Sequence, residues 1–564
     1  MKQGLANVGS PPIPRTIMMA AAGILAVLTL MLHGDALQGF WRFDDTAILL
    51  YVTEYPSVSG YFFSPGQWQA SGVPFFTPWL ILDYWLDYTL FGLQPSAFYA
   101  HHLLVIWLAA MLTFVLLYRY VGPFWGGLAA ALFLMGAPVA VVGQQIMTRH
   151  YATGLVFAIL SVLFWLKSRE SGGRSAPVLA AVFYLLAMLN KEIFAPLPLV
   201  LFFLREGTLK SRLGAMLPLG LSALAFVAWR SVMLGAVIGG YGGLNAASGL
   251  LDSLAVLPQV FFGMDRTALL AGATLLPAAW ALYSMRRRHL FLVFFSLAAL
   301  LLPFLAIRAS THPVDLRFAF LPWWGICVLL ALGLSSLPRC GPLVGKGSLL
   351  PHTIGCLALL TLFVMVVAAF LKGRDTAADF DSLANPYDVQ GRFMWSQGET
   401  VSYVPVGDTS GFGLFGYGTS ALKKRLLEKN SPIAVPIVES AQKLGAPLPV
   451  YVYETDCRCM KEATPAENDG AQVATPMAIR MVRSMNGLDW HVQSPAGAAC
   501  FLAFHEINTA TAIPCSGKIS FDLPRWLKGK FTFIVRSPEG RWHASPTLGF
   551  PERNGMLEWR APGQ

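Results

Sequence analysis

The sequence predicts an α-helical polytopic membrane protein, with about eleven transmembrane helices and a soluble C-terminal domain that is β-rich or α/β. Three observations carry that prediction. The 564-residue chain is 55% hydrophobic and only 13% charged, far more apolar than a soluble globular protein. Apolar runs of about 20 residues recur through its first two-thirds, the length that crosses about 30 Å of hydrocarbon. From residue 373 those runs stop, and short β-rich segments such as Val450–Tyr453, Lys530–Val535 and Met556–Trp559 alternate with Gly, Pro and Asn/Asp breaks.

A backbone in lipid must satisfy its own N–H and C=O groups, so the long runs read as helices. Barrel strands would be about 10 residues long and alternating. The expected spans are 16–34, 98–118, 123–143, 149–167, 176–190, 192–204, 213–235, 267–285, 289–307, 317–336 and 352–371. Lys2 and Arg15 precede the first run, Thr16–Leu32. That run is long and lacks a small-x-small cleavage site, which favours an uncleaved helix over a signal peptide. Residues 35–97 form a first outer loop with amphipathic helices, and 237–266 a second long loop, Gly-rich at its start. The chain thus divides into a membrane domain, 1–372, and a soluble domain, 373–564.

Charge sets the orientation. Residues 373–564 hold nineteen basic and nineteen acidic residues, so the net charge of +10 lies entirely in the first 372. There it gathers in short loops: Arg119; Lys167, Arg169 and Arg174; Arg205, Lys210 and Arg212; Arg286, Arg287 and Arg288; Arg339 and Lys346. The opposite loops carry scattered bases, an asymmetry that follows the positive-inside rule and puts the N-terminus in the cytoplasm. An odd number of spans then places the C-terminal domain outside. The chain has no Asn-x-Ser/Thr acceptor, which favours a bacterial inner membrane and a periplasmic domain. A nucleic-acid partner is not expected, and no Walker loop, dinucleotide fingerprint or zinc-spacing motif appears.

Ionisable residues collect at the outer helix ends: Asp44, Asp45, His101, His102, Arg149, His150, Lys191, Glu192, His312, Asp315 and Arg317. Such groups near a membrane are costly and usually face a cavity or pathway. Their common face predicts a cleft assembled from several helices. The sharpest local motif is Phe43-Asp44-Asp45-Thr46. Adjacent carboxylates repel, so a cation, a metal or a substrate hydroxyl is expected beside them. The bland alternative is a solvated acidic turn, or a cap for a helix starting at Thr46; its position in the outer loop favours the functional reading.

Trp41-Arg42-Phe43-Asp44-Asp45-Thr46 resembles the aspartate motif of GT-C-fold glycosyltransferases, the group that includes protein O-mannosyltransferases and the aminoarabinose transferase of lipid A. Asn190-Lys191-Glu192 resembles that group's Lys-containing outer turn. Ala137-Pro138 through Thr148-Arg149-His150-Tyr151 resembles its segment with an Arg at the start of the fourth helix. In layout the resemblance covers about residues 10–330. It implies an inverting transfer of a sugar from a polyprenyl-phosphate donor to an extracytoplasmic acceptor, with Asp44 as the catalytic carboxylate. Such a transfer needs a base for the acceptor's proton and positive charge for the departing phosphate. Asp45 would support Asp44 or, with Glu192, hold a divalent cation (Mg, Mn or Zn). Tyr151-Ala152-Thr153-Gly154 lacks the acidic residue that many relatives carry there, so a reaction without a metal stays open.

Arg149, Lys191 and Arg317 are the expected phosphate contacts, with His150 and His312 beside them as substrate contacts. Arg can fork onto phosphate oxygens, and Lys acts as a point charge. Arg308 is balanced between the same role and interfacial snorkelling. Glu192 either binds the metal or neutralises Lys191. Adjacent His101 and His102 point to different helix faces, so interfacial hydrogen bonding is expected for at least one. The aromatics Trp68, Phe75, Phe76, Trp79, Tyr84 and Trp85 read mostly as an interfacial belt, and Asp83 and Asp87 as the polar side of an amphipathic helix.

Four of the seven cysteines, Cys457, Cys459, Cys500 and Cys515, lie in the C-terminal domain. In an oxidising compartment they suggest up to two disulfides, with a Cys-x-Cys metal site as the competing view. Two further readings stay open: a transporter or flippase for lipid-linked glycans, and a non-catalytic envelope assembly protein. Transporters often show repeated halves, and no internal repeat is visible here.

Overall fold

A computed structural model describes residues 13–70, 75–171, 175–204, 209–235, 246–263, 296–297, 299, 310–335, 349–396, 402–403, 422–423, 435–436, 450–462, 477–484, 487–504, 509–519, 530–538, 542–552 and 554–560. The expected span 267–285, nearly all of 289–307, and Arg308 lie outside the described residues.

The first two-thirds is a helical bundle. α1 (Arg15–His33) leads through a 3-10 turn into the outer loop, which folds into α2 (Asp45–Glu54), α3 (Val58–Phe63), α4 (Pro65–Ala70) and α5 (Pro78–Phe91). Then follow α6 (Pro95–Met135), α7 (Ala137–Gly143), α8 (Arg149–Ser171), α9 (Ser175–Asn190), α10 (Leu197–Leu204), α11 (Leu209–Leu234), α12 (Ala246–Phe262), α13 (Phe320–Ser335) and α14 (Leu349–Ser396). Five described helical segments are long and apolar enough to cross a membrane: Arg15–Gln38, Pro95–Met135, Ile146–Ser168, Met216–Leu234 and Pro313–Ser335. α1 and α11 keep Ile24, Val27, Leu217 and Leu221 exposed, as lipid-facing surfaces require. The chain is a multi-pass membrane protein.

α6 is two helices in sequence, as the separate runs 98–118 and 123–143 anticipate. Gly122 takes φ 81°, a conformation that L side chains rarely adopt, and Pro123 follows it. Inside the bundle, two fully buried tryptophans have their N–H groups satisfied. Trp323 donates to the Phe133 carbonyl at 3.0 Å and Trp324 to Thr113 Oγ1 at 2.8 Å.

The first outer loop is packed inside rather than spread along the interface. Trp68, Phe76 and Tyr84 are buried; the aromatic-belt reading fails for them because later helices cover the loop. Trp229 of α11 donates Nε1–H to the Phe62 carbonyl at 2.6 Å and stacks on Phe63 at 5.3 Å.

α14 has 48 residues, about 72 Å at 1.5 Å per residue, so it runs well past the bilayer and unbroken across residue 372. Its extension packs over the outer loop: Phe43 meets Phe380 at 5.9 Å and Tyr387 at 5.2 Å. Beyond it, β1 (Ser402–Tyr403), β2 (Val435–Pro436), β3 (Val450–Glu454) and β4 (Cys459–Glu462) form a sheet of order β2-β1-β3-β4, with β1 parallel to β2 and β3. This sheet rests on α14, where Tyr451 contacts Phe393 and Tyr453 OH donates to Asn385 at 2.9 Å.

The remaining strands build a sandwich. β5 (Ala478–Ser484), β6 (Gly487–Gln493), β9 (Ser516–Ile519) and β13 (Met556–Arg560) form one antiparallel sheet, in the order β13-β5-β6-β9. β7 (Ala499–Phe504), β8 (Thr509–Ile513), β10 (Lys530–Arg536), β11 (Trp542–Ala544) and β12 (Leu548–Gly549) form the other. Met481, Trp490 and Val492 from one face meet Leu502, Phe531 and Phe533 from the other. Both cysteine pairs form disulfides, Cys457–Cys459 and Cys500–Cys515. The second joins β7 to the residue before β9, and so staples the two sheets.

Candidate active site

The outer ends of several helices converge around Asp44. Phe43 sits in the left-handed region at φ 48°, unusual for a bulky non-glycine residue. Its ring is clamped beneath α14, and this backbone turn sets the direction of Asp44 at the start of α2. The Asp44 side chain is solvent-accessible, yet protein surrounds it so fully that burial raises its carboxyl above the usual range, with the Arg317 charge opposing that rise. That combination describes the floor of a concave cleft.

Asp45 has a different task from its neighbour. It is fully buried. Its Oδ1 accepts the Tyr84 hydroxyl at 2.6 Å and the Met147 N–H at 3.0 Å, and its Oδ2 accepts the Arg42 N–H at 2.9 Å. Burial pushes its carboxyl up to about 7, against the Tyr84 and backbone hydrogen bonds and with the Asp44 charge adding to the rise. These bonds tie α2, α5 and the 3-10 turn Ile146–Thr148 together, making Asp45 a positioning residue. The expected metal ligands do not fit the role. Donors wrap Asp45, while Glu192 Oε1 accepts from Arg230 Nε and from the Phe76 N–H. Glu192 therefore neutralises Arg230 directly, with only an electrostatic influence on Lys191. No group of three or more His, Cys, Asp or Glu among the described residues is placed to hold an ion.

Two cations face the cleft. Lys191 lies in an extended break between α9 and the 3-10 turn Glu192–Phe194. The break packs closely on α8, because a Cβ at Gly154 would collide with the Phe194 ring. The Lys191 ammonium sits 4.2 Å from the centroid of the Phe75 ring and 5.5 Å from that of Tyr151, within cation–π range. Burial and then the Arg317 charge bring it down to about 8, with Glu192 opposing. Arg317, half-buried in the 3-10 helix Pro313–Ala319, donates to Gln145 Oε1 at 3.2 Å. Neither Lys191 nor Arg317 makes an ion pair with a carboxylate among the described residues. Two like charges within each other's field and without a carboxylate partner among the described residues favour an anion between them.

His150 adjoins them and feels both charges. Its Nδ1 bonds to the Met147 carbonyl at 2.9 Å, so Nδ1 carries the proton in the neutral ring and Nε2 is the bare acceptor. That Nε2 has no hydrogen-bond partner among the described residues. His312 caps the Pro313–Ala319 helix, and its ring is half-buried without a hydrogen bond among the described residues.

Arg149 does not line the cleft. It is fully buried, with Nη1 bonded to Asp87 Oδ2 at 2.6 Å and Nη2 to the Phe98 carbonyl at 2.7 Å. Expected as a phosphate contact, it instead locks α5 and α6 to α8. Asp83 and Asp87 are buried as well, not on a solvated helix face, and burial raises the Asp83 carboxyl to about 6. His101 bonds to Asp87 at 2.6 Å, and His102 to the Val142 carbonyl at 2.7 Å. Sequence reasoning missed Tyr84, Gln145 and Asp388; only in three dimensions do their partners come near.

No protein-family model and no curated protein matches the chain. Among solved structures it is similar to ArnT from Cupriavidus metallidurans bound to undecaprenyl phosphate, at 14% identity and a TM-score of 0.43, over 78% of this chain and 93% of that one. The apo state of the same protein gives 15% identity and a TM-score of 0.41, over 78% and 93%. The arabinofuranosyltransferase AftD from Mycobacteria gives 14% and 0.40; the match covers 93% of this chain and 41% of that one. The likeness is one of outline, and no residue's role is taken from it.

Proposed function

We propose that the chain transfers a sugar from a polyprenyl-phosphate donor to an acceptor on the extracytoplasmic side of a bacterial inner membrane. The observation that supports this reading is one accessible carboxylate, Asp44, beside two cations, Lys191 and Arg317, that make no ion pair with a carboxylate among the described residues. Asp44 orients the acceptor hydroxyl and takes its proton as the hydroxyl oxygen attacks the anomeric carbon. Lys191 and Arg317 hold the phosphate and stabilise the charge it gains as the glycosidic bond breaks. The bare Nε2 of His150 is a further acceptor for a sugar or acceptor hydroxyl, and the His312 ring stands at the same end of the bundle.

The test has two arms. Asp44→Asn, expressed at normal level in a strain lacking the native gene, is expected to abolish one envelope sugar in a mass-spectrometric glycan profile. Retained glycosylation overturns the reading. Lys191→Ala and Arg317→Ala each remove a charge-assisted contact of about 1.5–3 kcal/mol, so binding of undecaprenyl phosphate to the purified protein should weaken about 10–100-fold.

A further inference from the structure

We infer that Asp388, on the extension of α14, is a positioning residue for Asp44, acting through Arg42 and the backbone turn at Phe43. The inference rests on the reading of Asp44 given above. Asp388 is buried and takes the Arg42 guanidinium side-on, Nε to Oδ1 at 2.8 Å and Nη2 to Oδ2 at 2.6 Å. The same Oδ1 accepts the Phe40 N–H at 3.2 Å. A single carboxylate therefore fixes both the backbone and the side chain of the segment leading into Asp44.

The rest of Arg42 closes the clamp. Its Nη1 donates to the carbonyl of Gln144 at 3.1 Å and to the Gln144 Oε1 at 3.3 Å, and its backbone N–H holds Asp45. Between this anchor and Asp44 stands one residue, Phe43, in a left-handed conformation that a bulky side chain does not adopt unaided. Its ring is gripped by Phe380, about two helical turns before Asp388 on α14, and by Tyr387, the residue next to it. An ion pair on one side and ring packing on the other thus hold the strained turn, and both come from the same helix. Among the described residues neither Arg42 nor Asp388 hydrogen-bonds to Lys191 or Arg317, whose own contact in this region is Gln145, so turnover and phosphate binding should separate.

That separation is the test. Asp388→Asn keeps the side chain's shape and removes its charge. With Lys191 and Arg317 intact, its affinity for undecaprenyl phosphate should stay within about twofold of wild type, while sugar transfer falls about 10²-fold, the scale for a misplaced reacting group. Asp388→Glu restores the carboxylate and should recover transfer at least in part. Phe380→Ala, which loosens the ring side of the clamp, is an independent second variant should Asp388→Asn fail to accumulate. A merely structural role would lower lipid affinity and transfer together, and that outcome overturns the inference; so does an Asp388→Asn variant with wild-type transfer. Asp44→Asn is run in parallel. If it keeps the sugar, the functional reading fails; if it loses the sugar while Asp388→Asn keeps it, only the positioning role fails.

Discussion

Removing Asp87 should unfold the protein more readily than it disturbs ligand binding. Arg149 has no exposed surface, and Asp87 is about as deeply buried, with 1% of its side chain accessible. At the 2.6 Å contact between them, neither charge can be hydrated if the other is lost. Breaking a buried pair by deleting one partner costs about 3–5 kcal/mol, whereas replacing both by apolar residues of similar volume is often close to neutral. Asp87→Asn and Arg149→Met are therefore each expected to cost about 3–5 kcal/mol, and Asp87→Leu with Arg149→Met far less than their sum. His101, the other partner of Asp87, keeps 24% of its side chain exposed and can turn to water in the double variant. Denaturant titration of the purified protein in mixed micelles reads these differences, with undecaprenyl phosphate binding measured on the same samples. Single variants of wild-type stability that no longer bind the lipid would refute the reasoning and put Arg149 on the substrate, where the sequence had suggested it.

Two further outcomes follow from the site and the tail. Lys191 is held at about 8 by burial and Arg317, so its charge is present below that pH and is lost as pH rises through it; lipid binding should weaken above about pH 8, and Lys191→Arg should carry binding to higher pH. On the acid side, transfer should fall as Asp44 is protonated, above the ordinary aspartate range because burial raises it; a pH–rate profile checks both limbs. The Cys500–Cys515 bridge spans 15 residues, so replacing both cysteines by Ala should cost about 3 kcal/mol, seen as a lower unfolding midpoint for the β-sandwich signal in the full-length protein.

Some of this was legible in the sequence for simple reasons. Helices in lipid advertise themselves by length, so α1, both halves of α6, α8, α11 and α13 stand where the apolar runs place them. Asp44, Lys191 and Arg317 could be singled out because an ionisable group at the outer end of an apolar run is expensive wherever it points. Direction was harder. Asp83 and Asp87 lie one turn apart on a helix with aromatic residues around it, and composition cannot say that this polar stripe faces Arg149 rather than water. The same ambiguity made Arg149 look like a ligand contact. Asp388 gave no local sign at all: it sits in a mixed, mildly polar stretch, and its partner Arg42 is 346 residues away.

That distance bears on how the protein is made. Phe62 waits for Trp229, 167 residues downstream, and Arg42 for an acid synthesised near the end of the helical part. During translation the early outer segments emerge long before anything exists to receive them. The turn at Phe43 is consequently among the last pieces to take shape. A chain that stalls or is clipped before α14 would carry Asp44 in an unset loop.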